Sequence, residues 1–254
     1  MIINIAGGTG IMGEVHKPIL EGQGHKVILS GRKTNPDLIE AAKMSDLTII
    51  SVPIPYTEET IKLLAPYCSA IMDFTSVKKM PLEWMIKYSQ NGCEVGGLHP
   101  LYKKTGTTMV YCPTSLSGKK CGEIVRAFRN SGLEIKTLDP KDHDIKVNGM
   151  QVLRTRLLES FALVGIHYTK DIEELYSTST TQGKLLLDLI GRQVGEDNDE
   201  LFYSMREFNP YVEEMEAFVN RVIMNPDKTT PSKIRGFCKN KLEKAQQRAS
   251  KHLD

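Results

Sequence analysis

The N-terminal segment contains the pattern that most restricts how this chain can fold. An apolar run, Ile2–Ala6, leads into a glycine pattern of the form G-x-G-x-x-G, and a helical pattern then covers Met12–Gln23. The glycine pattern consists of Gly8, Thr9, Gly10, Ile11, Met12 and Gly13. Between a strand and a helix, the first glycine permits a tight turn, the second lets the backbone approach a pyrophosphate, and the third allows close helix packing. The pattern therefore predicts the first βαβ unit of a dinucleotide-binding sheet.

The rest of the chain divides into a half with alternating strands and helices and a helical half. Further strands are predicted at Lys26–Ser30, Leu47–Val52, Ser69–Asp73, Glu94–Gly96, Thr108–Cys112 and Glu134–Thr137, with helices at Asn35–Met44 and Thr57–Leu64. After Asp139-Pro140 the β signal nearly disappears, and four helices are predicted at 142–168, 172–190, 199–222 and 230–252. We expect an α/β Rossmann-type parallel-sheet domain at 1–140, followed by an all-α domain at 141–254 for substrate binding and homodimer formation.

Composition excludes several classes of protein. A net charge of +2 is too small to favour nucleic acid, and no apolar run is long enough to span a bilayer. The N-terminus has no basic region typical of a signal peptide. The five cysteines have no C-x-x-C pair, so a metal cluster or a disulfide framework is not expected. These features predict a cytoplasmic protein that acts on a small molecule.

The end of the second predicted strand bears on the choice of cofactor. NAD-binding proteins usually place a carboxylate there, where it binds the ribose 2′-hydroxyl. Here Ser30 is followed by Gly31, Arg32 and Lys33. A hydroxyl and a guanidinium suit a 2′-phosphate, so the sequence favours NADP over NAD.

Three more segments follow predicted strands of the sheet, where the active site of such a fold forms. The first is Ser51, Val52 and Pro53, which we expect to contact the cofactor. The second is D-F-T-S-V-K at 73–78, which contains Ser76, and the third is G-L-H-P-L-Y at 97–102, which contains His99. His99 is a candidate general base because a neutral imidazole is well matched to proton transfer near pH 7.

In this order, the glycine pattern, S-V-P-I, D-x-x-S-V-K and G-L-H-P-L-Y resemble the prephenate/arogenate dehydrogenase family of tyrosine biosynthesis. The resemblance continues in the helical half, at H-D (143–144), Q-V-L-R (151–154), G-R (191–192), L-F (201–202) and N-P (209–210). It resembles a compact form with no chorismate mutase or regulatory domain.

The resemblance implies an oxidative decarboxylation of a cyclohexadiene carboxylate. Hydride is transferred to the nicotinamide from the ring carbon that carries the hydroxyl. Carbon dioxide departs and the ring becomes aromatic. It implies that His99 accepts the hydroxyl proton, that Ser76 orients this histidine, and that Arg192 binds a substrate carboxylate. Gln151 and Arg154 lie at i and i+3 of one helix, so both can reach the same cleft. His143 opens this helix, and we expect His143 and Asp144 to act as helix caps.

One departure from the family pattern leaves the substrate open. Thr155 stands where bacterial members often have a substrate-binding histidine. A pocket that binds the amino group of arogenate would be expected to contain an acidic side chain. Prephenate is favoured because none of the matched site positions is acidic. Arogenate and 4-amino-4-deoxyprephenate remain alternative substrates. Two alternative functions also remain: a deazaflavin-dependent NADP reductase, a class that shares the G-G-T-G start, and a non-catalytic NADP-binding sensor.

Overall fold

The strands of the first half form one seven-stranded sheet in a computed structural model that describes residues 1–102, 106–169, 171–195 and 199–224. The strands are β1 (Ile2–Ala6), β2 (Lys26–Ser30), β3 (Leu47–Ile50), β4 (Ala70–Asp73), β5 (Glu94–Pro100), β6 (Thr108–Pro113) and β7 (Glu134–Thr137). Their order is β2-β1-β3-β4-β5-β6-β7. Every neighbouring pair is parallel except β5 and β6, which are antiparallel. The predicted α/β Rossmann-type fold is confirmed.

Helices connect the strands and fill the described part of the C-terminal half. They are α1 (Ile11–Gly22), α2 (Leu38–Met44), α3 (Thr57–Leu64), α4 (Lys79–Tyr88), α5 (Lys119–Asn130), α6 (Pro140–His143), α7 (Met150–Tyr168), α8 (Ile172–Thr178), α9 (Thr181–Gly195), α10 (Asp199–Glu207) and α11 (Val212–Met224). A π-helical turn, Asp144–Gly149, joins α6 to α7. Among the described residues, no helix meets the length and hydropathy needed to cross a membrane.

The central strands are buried on both faces, as continuous apolar strands in a parallel sheet should be. Adjacent residues of a strand point to opposite faces. Ile49 therefore joins a core with α1 and α5, whereas Ile50 joins a second core with α2, α3 and α4. The chain winds from β1 outward to β2 and then back to β3 on the other side of β1. In sheets that reverse their strand order in this way, ligands usually bind outside the carboxyl ends of the strands at the reversal, here β1 and β3.

Strand β5 is longer than predicted. The sequence predicts a strand over Glu94–Gly96, but β5 continues to Pro100 and pairs with β6 beyond the two glycines. A Cβ on Gly97 would lie 2.9 Å from the Lys78 Cδ atom, so glycine lets buried side chains pack against the strand. As a result His99 lies within a strand and not in a loop.

Two predicted helices are interrupted, and a third lies outside the described residues. The predicted helix 172–190 breaks at Ser179, where the hydroxyls of Thr178 and Ser179 bond back to carbonyls of α8 and compete with helical bonding. The predicted helix 199–222 breaks at Asn209-Pro210, since proline cannot continue the helical hydrogen bonds. The predicted helix 230–252 falls on residues that the structure does not describe.

The chain separates into two compact units. The first comprises Met1–Val152 and Asp199–Tyr211, and the second comprises Leu153–Asn198 and Val212–Asp254. Helix α10 therefore belongs to the sheet unit, although it follows most of the second unit in sequence. In the second unit, Leu158, Leu187 and Ile190 form a small buried cluster.

Candidate active site

The glycine loop after β1 has the shape that a pyrophosphate site requires. A Cβ on Gly13 would lie 1.9 Å from the Gly8 carbonyl oxygen, so only glycine allows α1 to pack this closely. At Gly10 the contact would be the Gly7 carbonyl oxygen at 3.6 Å, which leaves the backbone open to approach. Gly10 is also the N-cap of α1 and has no side-chain cap. The first N–H groups of α1 and its dipole therefore suit a phosphate. The other motif positions, Thr9, Ile11 and Met12, are exposed or half-buried beside this loop.

The loop after β3 lies against the glycine loop. A Cβ on Gly7 would lie 2.5 Å from the Ser51 carbonyl oxygen and 2.8 Å from Val52 Cγ1, and Gly7 has a φ of +84°. The Ser51 N–H donates to the Ala6 carbonyl at 2.7 Å. The predicted cofactor segment Ser51, Val52 and Pro53 therefore begins beside the glycine loop, at the reversal of strand order.

At the end of β2, the structure separates the three residues predicted to select the cofactor. The Ser30 side chain is fully buried, and its hydroxyl donates to Asn4 Oδ1 at 2.7 Å. Arg32 and Lys33 are exposed beyond the strand. Because the Ser30 hydroxyl has an internal acceptor, the two cations are the better candidates for a 2′-phosphate.

His99 forms a hydrogen-bonded row with His143 and Asp144, the two residues that the sequence predicts to be helix caps. His99 Nδ1 lies 2.9 Å from His143 Nε2, and His143 Nδ1 lies 2.8 Å from Asp144 Oδ1. His99 is 5% exposed, and the other two are fully buried. Among the described residues, no hydrogen-bond partner contacts His99 Nε2, so this atom can accept a proton from a ligand.

Asp144 does cap a helix, but not the one it precedes. Its carboxylate accepts from the N–H groups of Lys78 at 2.7 Å and Lys79 at 2.9 Å, at the start of α4. Asp139 caps α6 by accepting from the Lys141 N–H at 2.8 Å. Long-range capping of this kind leaves no local sequence signature, because the partners are more than sixty residues apart.

Asn209 fixes the π-helical turn from a distant part of the chain. Its Nδ2 donates to the Asp144 carbonyl at 2.7 Å and to Asn148 Oδ1 at 2.6 Å, and its own Oδ1 accepts from the Tyr211 N–H at 2.9 Å. Asn209-Pro210 resembles an ordinary helix break, so the sequence analysis missed this role.

A buried ion pair supports the strand that carries His99. Lys78 is fully buried, and its Nζ donates to the Asp73 carboxylate and, at 2.9 Å, to the Leu98 carbonyl. Thr75 also donates to Asp73 through its N–H and its hydroxyl. Burial raises the pKa of Asp73, whereas Lys78 and Thr75 oppose that rise. The D-x-x-S-V-K segment therefore stabilises β5 at the residue before His99.

Burial is the largest cause that lowers the pKa of His99 well below its usual 6.5, and His143 and Lys78 lower it further. Burial also lowers the pKa of His143, although the hydrogen bond that His143 donates to the Asp144 carboxylate opposes this. Both imidazoles are therefore neutral at pH 7. In the protein without ligands, the pKa of His99 is therefore lower than the near-neutral pKa expected from the sequence, and His99 is a weaker base.

The other predicted site residues are distributed over both units. Ser76 is half-buried between β4 and α4, and Gln151 is half-buried in the first turn of α7; both belong to the first unit. The second unit contains Arg154 and Arg192, which are exposed, and Thr155, which is 3% exposed. Their roles in binding stay predictions.

No family model matches the chain. A protein of Methanocaldococcus jannaschii named "Probable arogenate/prephenate dehydrogenase" is 27% identical over an alignment of 247 residues, and the match covers 87% of this chain and 55% of that protein. The "T-protein" of Haemophilus influenzae is 29% identical over an alignment of 206 residues, and the match covers 77% of this chain and 53% of that protein. The chain thus spans about half the length of the curated relatives it matches.

Two solved structures share the fold over nearly the whole chain. Synechocystis arogenate dehydrogenase has a TM-score of 0.69 at 18% identity and covers 99% of this chain and 100% of its own. Prephenate dehydrogenase from A. aeolicus, in complex with hydroxyphenyl propionate and NAD+, has a TM-score of 0.62 at 16% identity and covers 96% and 98%.

The fold and the site define a Rossmann-type α/β protein with a glycine loop that suits a pyrophosphate and a buried histidine at the carboxyl edge of its sheet. The sequence comparison is more specific. The chain is similar to proteins named as arogenate/prephenate dehydrogenase and T-protein, and the resemblance predicted from its motifs is confirmed.

Proposed function

We propose that the chain is a nicotinamide-dependent dehydrogenase that converts prephenate to 4-hydroxyphenylpyruvate in tyrosine biosynthesis. The observation that carries this proposal is the neutral, buried His99 with an available Nε2 at the carboxyl end of β5. An oxidation of a ring hydroxyl needs a proton acceptor at that position.

The glycine loop, the Ser51–Pro53 segment and the cations after β2 would hold the dinucleotide. The open backbone at Gly10 and the close packing at Gly13 fit its pyrophosphate. When bound, the nicotinamide accepts the hydride that leaves the substrate ring. The protein supplies the rest: His99 Nε2 takes the hydroxyl proton, and burial excludes competing water from the imidazole.

Cationic residues of the helical half are the proposed anchors for substrate carboxylates. Arg192 is the first candidate, since a guanidinium can bind a carboxylate through two parallel hydrogen bonds. Gln151, Arg154 and Thr155 are proposed to contact the same substrate. Prephenate is preferred over arogenate and the 4-amino analogue because these positions include no acidic side chain to pair with an amine.

The preference for NADP is supported by Arg32 and Lys33 at the end of β2. We expect Arg32→Ala to weaken NADP binding by about 10- to 100-fold and to leave NAD binding nearly unchanged, since the loss of a charged hydrogen bond costs roughly 1.5–3 kcal/mol. Titration of both cofactors measures this, with Arg129→Ala at the distant end of α5 as the control. An equal loss for both cofactors would contradict the preference.

We further propose a homodimer formed through the helical unit, in the cytoplasm. Helix α7 has apolar side chains that are largely exposed in one chain: Leu157, Phe161, Leu163, Val164 and Ile166. Such surfaces typically mark an interface. The four described cysteines are free and buried, which suits a reducing compartment. Light scattering after size exclusion tests the dimer, and a monomer would rule it out.

The decisive experiment is a nicotinamide-reduction assay of the chain with prephenate, arogenate and the 4-amino analogue, each with NADP and with NAD. We expect turnover of prephenate with NADP. Preferred turnover of arogenate or the amino analogue would keep the reaction class and correct the substrate. Cofactor binding with no turnover of any ring substrate would favour the sensor alternative.

A further inference from the structure

A hydrogen-bonded row of three buried residues, Asp144, His143 and His99, ends at the proposed base. We propose that His143 and Asp144 are positioning residues that hold the base in one tautomer, with the proton on His99 Nδ1 and the lone pair on Nε2. This inference rests on the proposed function for its catalytic meaning, but the tautomer itself can be measured without any substrate.

The direction of the hydrogen bonds follows from the chemistry of the end group. A carboxylate can only accept, so His143 Nδ1 must carry the proton that bonds to Asp144 Oδ1 at 2.8 Å. A neutral imidazole has one protonated nitrogen, so His143 Nε2 is an acceptor. The proton between the two rings, across 2.9 Å, then belongs to His99 Nδ1. His99 Nε2 is consequently the atom with the free lone pair.

The surrounding structure keeps this row in place. The Asp144 carboxylate is held by the backbone N–H groups of Lys78 and Lys79, and its carbonyl by Asn209. The two imidazoles meet edge to face, with ring centroids 5.1 Å apart.

The charged groups around the row are few. Lys78 Nζ is hydrogen-bonded to Asp73 and to the Leu98 carbonyl, so it is paired beside the row and does not interrupt it. Lys78 and Asp73 are the other charged groups that act on the two histidines, besides Asp144.

The row also determines where charge goes during the reaction. When the substrate hydroxyl proton bonds to His99 Nε2, the ring becomes a cation with protons on both nitrogens. His99 Nδ1 then remains bonded to His143 Nε2, and the negative charge of Asp144 lies at the far end of the same row. The electron pair of the broken C–H bond leaves as hydride to the nicotinamide, so the step balances. A base held in the other tautomer would have no lone pair for the substrate.

Nuclear magnetic resonance of isotope-labelled imidazole nitrogens in the intact, ligand-free protein tests the tautomer directly. We expect the His99 signals at pH 7.5 to show that Nδ1 is protonated and Nε2 is not. In His143→Phe, which offers no acceptor, we expect this preference to be lost. His143→Gln can present a carbonyl oxygen to His99 and should retain it. A protonated Nε2 in the unsubstituted protein would overturn the inference.

Kinetics then connect the tautomer to the reaction. We expect kcat to fall by about 10- to 100-fold in His143→Phe with KM within threefold, because the base is displaced while binding is kept. His143→Gln should recover most of that loss, and His167→Gln, on the exposed end of α7, should match the unsubstituted protein. An unchanged kcat in a folded His143→Phe would overturn the inference and leave the proposed function standing. No turnover by the unsubstituted protein would reject the proposed function, while the resonance result would still decide the tautomer.

Discussion

At the scale of single residues, His99 has the most direct consequence for activity. Replacing it with asparagine removes the Nε2 acceptor, so we expect kcat to fall by roughly 10²–10⁴, the usual contribution of a general base. KM should change little, because binding uses other groups. Steady-state kinetics with prephenate measure both, and His167→Asn serves as the control. Activity within a few-fold of the unsubstituted protein would remove His99 from the role of base.

Lys78 is expected to contribute strongly to the stability of the fold. In Lys78→Met, the buried Asp73 carboxylate loses its cation, and the free energy of unfolding should fall by about 3–5 kcal/mol. Adding Asp73→Asn removes the unpaired charge and should recover a large part of this loss. Urea unfolding measures both variants. Lys87→Met on the exposed face of α4 should stay within about 0.5 kcal/mol. A similar loss in Lys78→Met and Lys87→Met would show that the buried pair contributes little.

At the scale of elements, two glycines of α1 have different roles. Gly13 lies against the backbone of Gly8, so Gly13→Ala must displace the glycine loop. We expect this variant to weaken dinucleotide binding at least tenfold. Gly22, near the end of the same helix, has nothing within 4 Å of a Cβ. Gly22→Ala should leave binding unchanged and stabilise the fold by about 0.5–1 kcal/mol. Cofactor titration and thermal unfolding measure the two effects, and equal binding by the two variants would contradict the assignment.

The elements also show what sequence patterns determine. Strands β1, β2 and β7 and helix α3 match the predicted bounds. In β1 the apolar run and the glycine loop that follows it set these bounds locally. The glycine motif likewise predicted its own packing, with Gly13 close to Gly8 and Gly10 open. These features depend on neighbours in sequence, so one chain is enough to infer them.

The parts that could not be predicted depend on distant contacts. β5 extends past Gly97 through its pairing with β6, Lys78 occupies the space that a side chain at position 97 would need, and Asp144 caps a helix that begins at Lys79. Asn209 belongs to the same unit as the π-helical turn, but it lies more than sixty residues from its partners in sequence. None of these contacts joins residues at a characteristic separation in sequence. The row that holds His99 can therefore be recognised only from the folded structure.

At the scale of the whole molecule, the first unit contains both the glycine loop and the row that ends in His99. The loop follows β1, and His99 lies in β5, two strands beyond β3 in the same sheet. The sheet unit thus supplies the groups proposed for the cofactor and for proton transfer. Arg154, Thr155 and Arg192, the residues proposed for substrate selection, belong to the second unit.

The buried histidines also affect the stability of the whole molecule. Burial lowers the pKa of His16, His99 and His143 in the folded chain, whereas an unfolded histidine titrates near 6.5. Below about pH 6.5 the unfolded chain therefore binds more protons than the folded one, and the free energy of unfolding should fall as the pH falls. The raised pKa of Asp73 acts in the opposite direction. A variant that removes one histidine is therefore needed to isolate the effect of these residues.

His16 is suited to this test because it lies apart from the proposed base. Its Nδ1 contacts the Met12 carbonyl oxygen at 2.7 Å, and its Nε2 lies 3.1 Å from the Tyr102 hydroxyl. We expect urea unfolding to give a smaller loss of stability between pH 7.5 and pH 5.5 for His16→Asn than for the unsubstituted protein. His167→Asn, in an exposed position, should keep the full loss. If His16→Asn showed the same loss between the two pH values, burial of this imidazole could not be a source of the acid sensitivity.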